Sequence, residues 1–161
     1  MILRHIFLSS GHNFVGRHGL EPETHAILSL DRVECVAGRG LRGDRFFDHK
    51  PGFKGQVTLF SADVFRKLCD CQRTPALCPS SLRRNLIVEH NDLNTLIGQE
   101  FSLQGVLLRG TEECRPCYWM NQAIGPGAED WLRGRGGLRC HILTDGWLER
   151  DAMTAAAPLL S

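Results

Sequence analysis

The feature that most constrains the fold of this chain is a series of short β-strand patterns, each closed within a few residues by glycine, proline, asparagine or aspartate. The patterns cover residues 3–8, 26–30, 32–37, 56–60, 86–88, 101–103, 106–109, 138–143 and 147–148. Gln104-Gly105 and Asp145-Gly146 each separate two neighbouring patterns, and such glycine-containing dipeptides indicate tight hairpin turns. Short strands at this spacing, without the strand–helix alternation of a parallel sheet, predict a mainly β protein with the architecture of a β-barrel.

A few short helices are predicted between these strands. Ser61 has the side chain of a helix N-cap, and apolar residues follow it at the spacing of one helix face. The predicted helical segments are a helix after Ser61, a turn at 80–84, a short helix from Asp92 to Gly98 and another at 128–133.

The length and composition fit one globular domain. The chain has 161 residues, of which 42% are hydrophobic, and we expect one domain over residues 1–161 with its core at about 3–148 and a frayed tail at 152–161. Nineteen basic and eighteen acidic residues give a formal charge of +1, so the bulk charge indicates neither a nucleic-acid nor a membrane partner. Seven cysteines without a signal-peptide pattern predict free thiols in a reducing compartment, and hence a cytoplasmic protein.

The strongest candidate for chemistry is the pair of thiols in Cys114-Arg115-Pro116-Cys117, directly after a predicted strand. A thiolate is a nucleophile, a soft metal ligand and a sulfur carrier. Arg115 would favour the thiolate form of Cys117, and Pro116 would stiffen the turn that carries it. Cys114 stands at the spacing of a resolving partner in thiol exchange, although both thiols could equally be small buried residues at a strand end.

Two arginine groups are candidates for binding an anion. Arg83 and Arg84 precede Asn85, and Arg42 and Arg45 lie in the glycine-rich segment 38–45. Guanidinium groups grip oxyanions in a bidentate manner, and an asparagine amide can bind polar ring edges. The same segment spells G-x-G-x-x-G, but Pro51 and Gly52 leave no room for the helix of a dinucleotide-binding fold, so that interpretation is rejected. His12 and His49 are further pocket candidates.

In their order along the chain, several motifs resemble a small stand-alone MOSC domain, the type of domain found at the C-terminus of molybdenum cofactor sulfurase. The motifs are Gly40-Leu41-Arg42-Gly43-Asp44-Arg45, Leu82-Arg83-Arg84-Asn85-Leu86, Asp92-Leu93-Asn94-Thr95-Leu96-Ile97-Gly98 and Arg115-Pro116-Cys117. The resemblance implies a β-barrel with a pocket built around Cys117. It also implies that the chain binds molybdenum cofactor, or carries sulfur for it, without pyridoxal phosphate. Some relatives reduce N-hydroxylated compounds.

The resulting hypothesis is a MOSC protein in which Cys117 is a molybdenum ligand or a persulfide acceptor. Cys114 is the second catalytic candidate, and the cofactor-binding candidates are Arg83, Arg84, Asn85, Arg42, Arg45 and Arg115. The expected partners are a small-molecule cofactor or sulfur donor and a redox partner protein. Two alternatives stay open, a metal-free thiol or persulfide transfer protein and a non-catalytic binding module with structural cysteines. The sequence leaves the choice between oxidoreductase and sulfur transferase open, and it does not predict the oligomeric state.

Overall fold

The structure, a computed structural model, describes residues 1–12 and 24–152. The strands of this part are β1 (Ile2–Ser9), β2 (Ile27–Leu30), β3 (Arg32–Val36), β4 (Gly40–Leu41), β5 (Val57–Ser61), β6 (Leu86–Glu89), β7 (Glu100–Leu103), β8 (Val106–Glu113), β9 (Leu138–Ile142) and β10 (Gly146–Glu149). The helices are α1 (Ala62–Gln72), α2 (Trp119–Ala123) and α3 (Ala128–Leu132), and short 3-10 helices cover Pro79–Leu82 and Leu93–Leu96. The expected tail at 152–161 falls, except for Ala152, outside the described residues.

Seven strands form one sheet in the order β2-β1-β6-β5-β9-β8-β7. All neighbouring pairs in this sheet are antiparallel except β5 and β6, which run parallel and are joined through α1. Alternation along the strands sends side chains to two apolar clusters, one on each face. In β1, Ile6 and Leu8 join one cluster, whereas Phe7 joins the other, which packs under α1 and α3.

The remaining three strands form a second sheet in the order β10-β3-β4. Val33, Cys35 and Leu148 of this sheet share a buried cluster with the inner face of the seven-stranded sheet. Among the described residues neither sheet closes on itself, so the mainly β prediction is confirmed and the closed barrel is not. The physical reason is that β2 and β7, at the two edges of the large sheet, pair with only one described strand each.

One predicted hairpin is confirmed and the other is wrong. Gln104 and Gly105 both have positive φ, 50° and 84°, which is the two-residue turn that joins β7 to β8. In contrast, β10 leaves β9 and pairs with β3, because both edges of β9 are already occupied by β5 and β8. The Asp145 carboxylate of the supposed turn accepts a hydrogen bond from the Ala37 amide at 2.7 Å and so anchors the crossing between the two sheets.

The helical predictions are largely confirmed. The Ser61 hydroxyl accepts a hydrogen bond from the Val64 amide at 3.3 Å and caps α1. The Asp92 carboxylate accepts a hydrogen bond from the Asn94 amide at 3.0 Å and caps the 3-10 helix Leu93–Leu96. The sequence did not predict α2, which follows directly on the cysteine turn. Within residues 1–12 and 24–152, no helix combines the length and the apolar character that a membrane crossing requires.

Candidate functional site

A cavity of about 130 Å³ brings together residues from four distant parts of the chain. Its lining consists of His12, Arg45, Ser81, Leu82, Arg83, Arg84, Cys117, Trp119, Met120 and Ala123. Four of the predicted site residues therefore share one cavity: Cys117, Arg45, Arg83 and Arg84. The three arginines come from the glycine-rich turn after β4 and from the end of the 3-10 helix Pro79–Leu82.

The cysteine turn exposes one thiol and buries the other. Cys117 is exposed and lines the cavity, and its carbonyl accepts a hydrogen bond from the Met120 amide at 2.9 Å, which fixes the start of α2. Cys114, by contrast, is only 5% exposed, and its amide donates to the Gly137 carbonyl at 2.8 Å. Of the two thiols, only Cys117 is placed to meet a ligand that enters the cavity.

Arg84 stabilises this turn through hydrogen bonds to backbone carbonyls. The residue is only 8% exposed, and its three guanidinium nitrogens donate to the carbonyls of Gly136, Leu82 and Cys114 at 3.0, 3.0 and 3.1 Å. These bonds tie the 3-10 helix to the cysteine turn. Arg84 thus supplies positive charge at the cavity wall while its described hydrogen bonds go to the backbone.

Arg83 lines the cavity and carries one guanidinium nitrogen without a described partner. Its Nη2 donates to the Gly11 carbonyl at 2.8 Å and to the Ser9 hydroxyl at 3.3 Å. Its Nη1 is buried and has no hydrogen-bond partner among the described residues. Burial and the neighbouring Arg45 guanidinium, partly offset by Asp44, lower the pKa of Arg83 to about 10, so the side chain stays charged at neutral pH.

Arg45 is held beside Arg83 with one carboxylate for support. Its Nη2 donates to the Arg83 carbonyl at 3.2 Å, and its Nη1 lies 3.5 Å from Asp44. Asp44 is buried, and its carboxylate also accepts hydrogen bonds from the amides of Ser9 and Phe46. Burial, together with the Arg84 charge, lowers the pKa of Arg45 despite Asp44. Within the described part of the chain, neither Arg83 nor Arg84 has an acidic side chain at ion-pair distance.

His12 also lines the cavity and connects it to an aromatic cluster. Its ring lies edge-on to Phe46, with centroids 4.9 Å apart, and Phe46 in turn contacts His49 and Phe53. Burial, and then the charges of Arg45, Arg83 and His49, lower the pKa of His12 from 6.5, while Asp44 opposes the shift. A neutral imidazole therefore faces the guanidinium groups at pH 7.

The other predicted site residues lie away from this cavity. The Asn85 side chain is only 2% exposed and is hydrogen-bonded to Thr58 and to the Phe7 carbonyl, so its amide is occupied within the sheet. Arg42 is exposed and paired with Glu34. Arg115 is exposed on the turn but does not line the cavity.

Cys114 has its own charged neighbour on the buried side of the turn. Arg139 of β9 donates to Glu112 at 3.0 Å and lies close to the Cys114 sulfur. Burial acts to lower the pKa of Arg139, but the thiolate form of Cys114 and the Glu112 carboxylate outweigh burial and raise it. The strand thiols differ, because burial raises the pKa of Cys35 to about 12 and that of Cys140 further, which keeps both protonated.

All seven cysteines are free, and the described residues contain no group of three or more side chains arranged to hold a metal ion. The sequence interpretation missed the cavity wall formed by α2, although Trp119 and Ala123 stand four residues apart, the spacing of one helix face.

Chemically, the cavity joins an exposed nucleophile to a partly desolvated set of cations. Such a set attracts an anion and stabilises negative charge that develops beside the Cys117 sulfur. The arrangement therefore suits either ligation of a metal that belongs to an anionic cofactor or attack on an anionic electrophile.

Comparison with known proteins gives a consistent result. The sequence profile of the MOSC domain matches residues 47–152. Among solved structures, YuaD from Bacillus subtilis shares 17% identity at a TM-score of 0.60, covering 92% of this chain and 94% of YuaD. YiiM from Escherichia coli shares 14% identity at a TM-score of 0.59, covering 91% of this chain and 65% of YiiM. YiiM from Geobacillus stearothermophilus shares 12% identity at a TM-score of 0.62, covering 91% of this chain and 71% of that YiiM. No match is found among curated proteins.

Proposed function

The chain belongs to the MOSC domain family, and from that premise and the cavity geometry we propose that it binds molybdenum cofactor or carries sulfur through Cys117. In this proposal the Cys117 thiolate is the metal ligand or the persulfide acceptor. Arg83 and Arg45 hold the anionic part of the cofactor or donor, and Arg84 adds charge while bracing the turn. The protein works as one domain in the cytoplasm, where a reducing environment keeps its thiols free.

The observation that carries the proposal is the shared cavity of Cys117 and Arg83. The buried Nη1 of Arg83 lacks a partner among the described residues, and an unpaired buried donor is costly. A phosphate oxygen beside the thiol would satisfy it, so the residues present fit an anionic cofactor with a soft metal. When bound, that cofactor supplies a redox-active metal, whereas the chain supplies the thiolate, the anion contacts and partial exclusion of water.

Two uses of the thiol follow, and both belong to the proposal. As a metal ligand, Cys117 makes the protein a cofactor carrier or part of a redox enzyme that works with a partner protein. As a sulfur acceptor, Cys117 holds a persulfide with its terminal sulfur beside the guanidinium groups, which stabilise its negative charge. Asn85, Arg42 and Arg115 are left out of this mechanism because their side chains do not line the cavity.

The test compares wild-type protein with Cys117→Ser, using Cys78→Ser as the matched control because Cys78 is another exposed thiol outside the cavity. Protein purified from a host that makes the cofactor is analysed for molybdenum and pterin. A second sample is treated with a cysteine persulfide donor and analysed by mass spectrometry.

We expect bound molybdenum, or an added sulfur atom on the Cys117 peptide, in the wild type and in Cys78→Ser but not in Cys117→Ser. Equal behaviour of all three proteins in both assays would refute the proposed role of Cys117, and the absence of both signals from all three would leave a binding module with inert thiols.

A further inference from the structure

We propose that the cavity takes a small sulfane-bearing oxyanion of the thiosulfate class and transfers its outer sulfur to Cys117. This inference rests on the proposed function, since it assigns the donor for a thiol already proposed to accept sulfur. It also adds an activity, a sulfur transfer that releases sulfite.

The charge of the cavity favours a compact anion with several acceptor oxygens. Three guanidinium groups, those of Arg45, Arg83 and Arg84, surround it, and only Arg45 has a described acidic partner, Asp44. Arg83 keeps a buried N–H group without a described partner. Thiosulfate offers three oxygens and two negative charges, which can satisfy that donor and reduce the repulsion between Arg45 and Arg83.

The size of the cavity favours the same class. Its volume is about 130 Å³, below the roughly 300–1,000 Å³ of sites that enclose a whole organic ligand. The cavity therefore has room for one tetrahedral oxyanion together with the sulfur that it carries. It would enclose only a part of the larger cofactor proposed above, and the remainder of that cofactor would lie outside.

The chemistry needs no other reactant. The Cys117 thiolate attacks the outer sulfur of thiosulfate, and the sulfur–sulfur bond of thiosulfate breaks with its electron pair going to sulfite. A persulfide forms on Cys117, and the total negative charge stays the same on both sides. The sulfane sulfur passes from one sulfur atom to another, so no external oxidant or reductant enters. Arg83 and Arg45 stabilise the charge that accumulates on the departing sulfite.

The experiment uses the full chain, reduced and freed of small thiols, with thiosulfate as the probe. Sulfite release and the mass of the Cys117 peptide are followed in time. We expect one sulfite and one persulfide per chain in the wild type and neither in Cys117→Ser. In Arg83→Gln the rate of sulfite release should fall at least about tenfold, because one charge-assisted contact is lost. Arg133→Gln is the matched control, since Arg133 is exposed, pairs with Asp130 and does not line the cavity.

A parallel arm uses an uncharged organic persulfide, RSSH, which donates sulfane sulfur without an oxyanion: its outer sulfur passes to Cys117 and the thiolate RS⁻ leaves. Sulfur transfer from the organic persulfide but not from thiosulfate would overturn this inference and leave the proposed function standing. Transfer from neither donor, with no bound molybdenum, would overturn both. If Arg83→Gln does not fold, competition in the wild type decides: sulfate should slow transfer from thiosulfate but not from the organic persulfide, and equal rates with and without sulfate would refute the anion site.

Discussion

Three consecutive residues have three different tasks, although the sequence suggested one shared task for them. Arg83 lines the cavity, Arg84 donates hydrogen bonds to backbone carbonyls, and Asn85 is hydrogen-bonded inside the sheet. The change of direction begins at Arg83, which has a φ of 53°. Because this left-handed conformation is uncommon for a residue with a side chain, the turn there separates side chains that a regular element would have aligned.

The pH response of His12 tests the charge of the cavity at the scale of one residue. We expect His12 to titrate below pH 6.5, because burial, Arg45 and Arg83 lower its pKa. Sulfate in the cavity, or the substitution Arg83→Gln, should raise that pKa by offsetting or removing positive charge. Proton NMR of the imidazole over a pH series, with and without sulfate, measures it.

The direction of the linked stability change follows from the same shift. The unfolded chain binds the His12 proton more tightly, so the free protein loses stability as pH falls through the range just below 6.5. Sulfate should weaken this loss. A His12 resonance that is indifferent to sulfate and to Arg83→Gln would show that the cavity does not hold the anion.

At the scale of elements, the position of Cys117 depends on two irregular segments packed against each other. The cysteine turn between β8 and α2 lies on the glycine pair before β9. A Cβ atom added to Gly136 would stand 2.4 Å from the Cys114 carbonyl oxygen and 2.8 Å from Pro116 Cδ. The Arg84 guanidinium then joins the carbonyls of both segments. The turn is thus held by backbone contact rather than by a regular element.

The substitution Gly136→Ala should displace the cysteine turn. We expect a loss of about 1–3 kcal/mol in the free energy of unfolding, as for other overpacked sites, and a clear change in the rate at which Cys117 reacts with an uncharged thiol reagent. Urea unfolding and timed labelling measure the two effects. Gly55→Ala is the control, because its nearest neighbours are side-chain atoms of Phe53 at 3.3 Å. An unaltered Cys117 rate in a folded Gly136→Ala protein would contradict this account.

At the scale of the whole molecule, the large sheet is joined across its centre by a buried side chain. The side-chain oxygen of Asn85, Oδ1, accepts hydrogen bonds from the backbone amide and the hydroxyl of Thr58 on β5, at 3.1 and 3.0 Å. The side-chain nitrogen of Asn85, Nδ2, donates to the backbone carbonyl of Phe7 on β1 at 3.2 Å. Both strands flank β6, to which β1 runs antiparallel and β5 runs parallel. Asn85 satisfies polar groups at this junction, where the sheet ladder alone does not pair them.

Replacing Asn85 with alanine should therefore destabilise the fold by about 2–4 kcal/mol, since several buried polar groups lose their partner. Urea unfolding monitored by tryptophan fluorescence measures the change, and Asn91→Ala at an exposed position is the control. The folded variant should keep the rate of Cys117 persulfide formation. A variant of unchanged stability with a lost reaction would instead give Asn85 the cofactor-contacting role that the sequence suggested.

Short-range sequence patterns account for the local elements and for the choice of candidate site residues. The Ser61 cap, the Gln104-Gly105 turn and the strand patterns are set by neighbours within a few positions, and such short-range preferences can be seen in the chain. The thiol turn and the arginine groups were also visible as residue types.

Only the tertiary structure decided which of these groups meet. It paired β10 with β3 instead of β9, left both sheets open among the described residues, buried Cys114 and Asn85, and brought Arg45, Arg83 and Cys117 to one cavity. The physical reason is that strand pairing and burial are competitions between segments far apart in sequence. Their outcome depends on which edges and faces of the sheets are already occupied by other segments, and this cannot be predicted from a local sequence pattern.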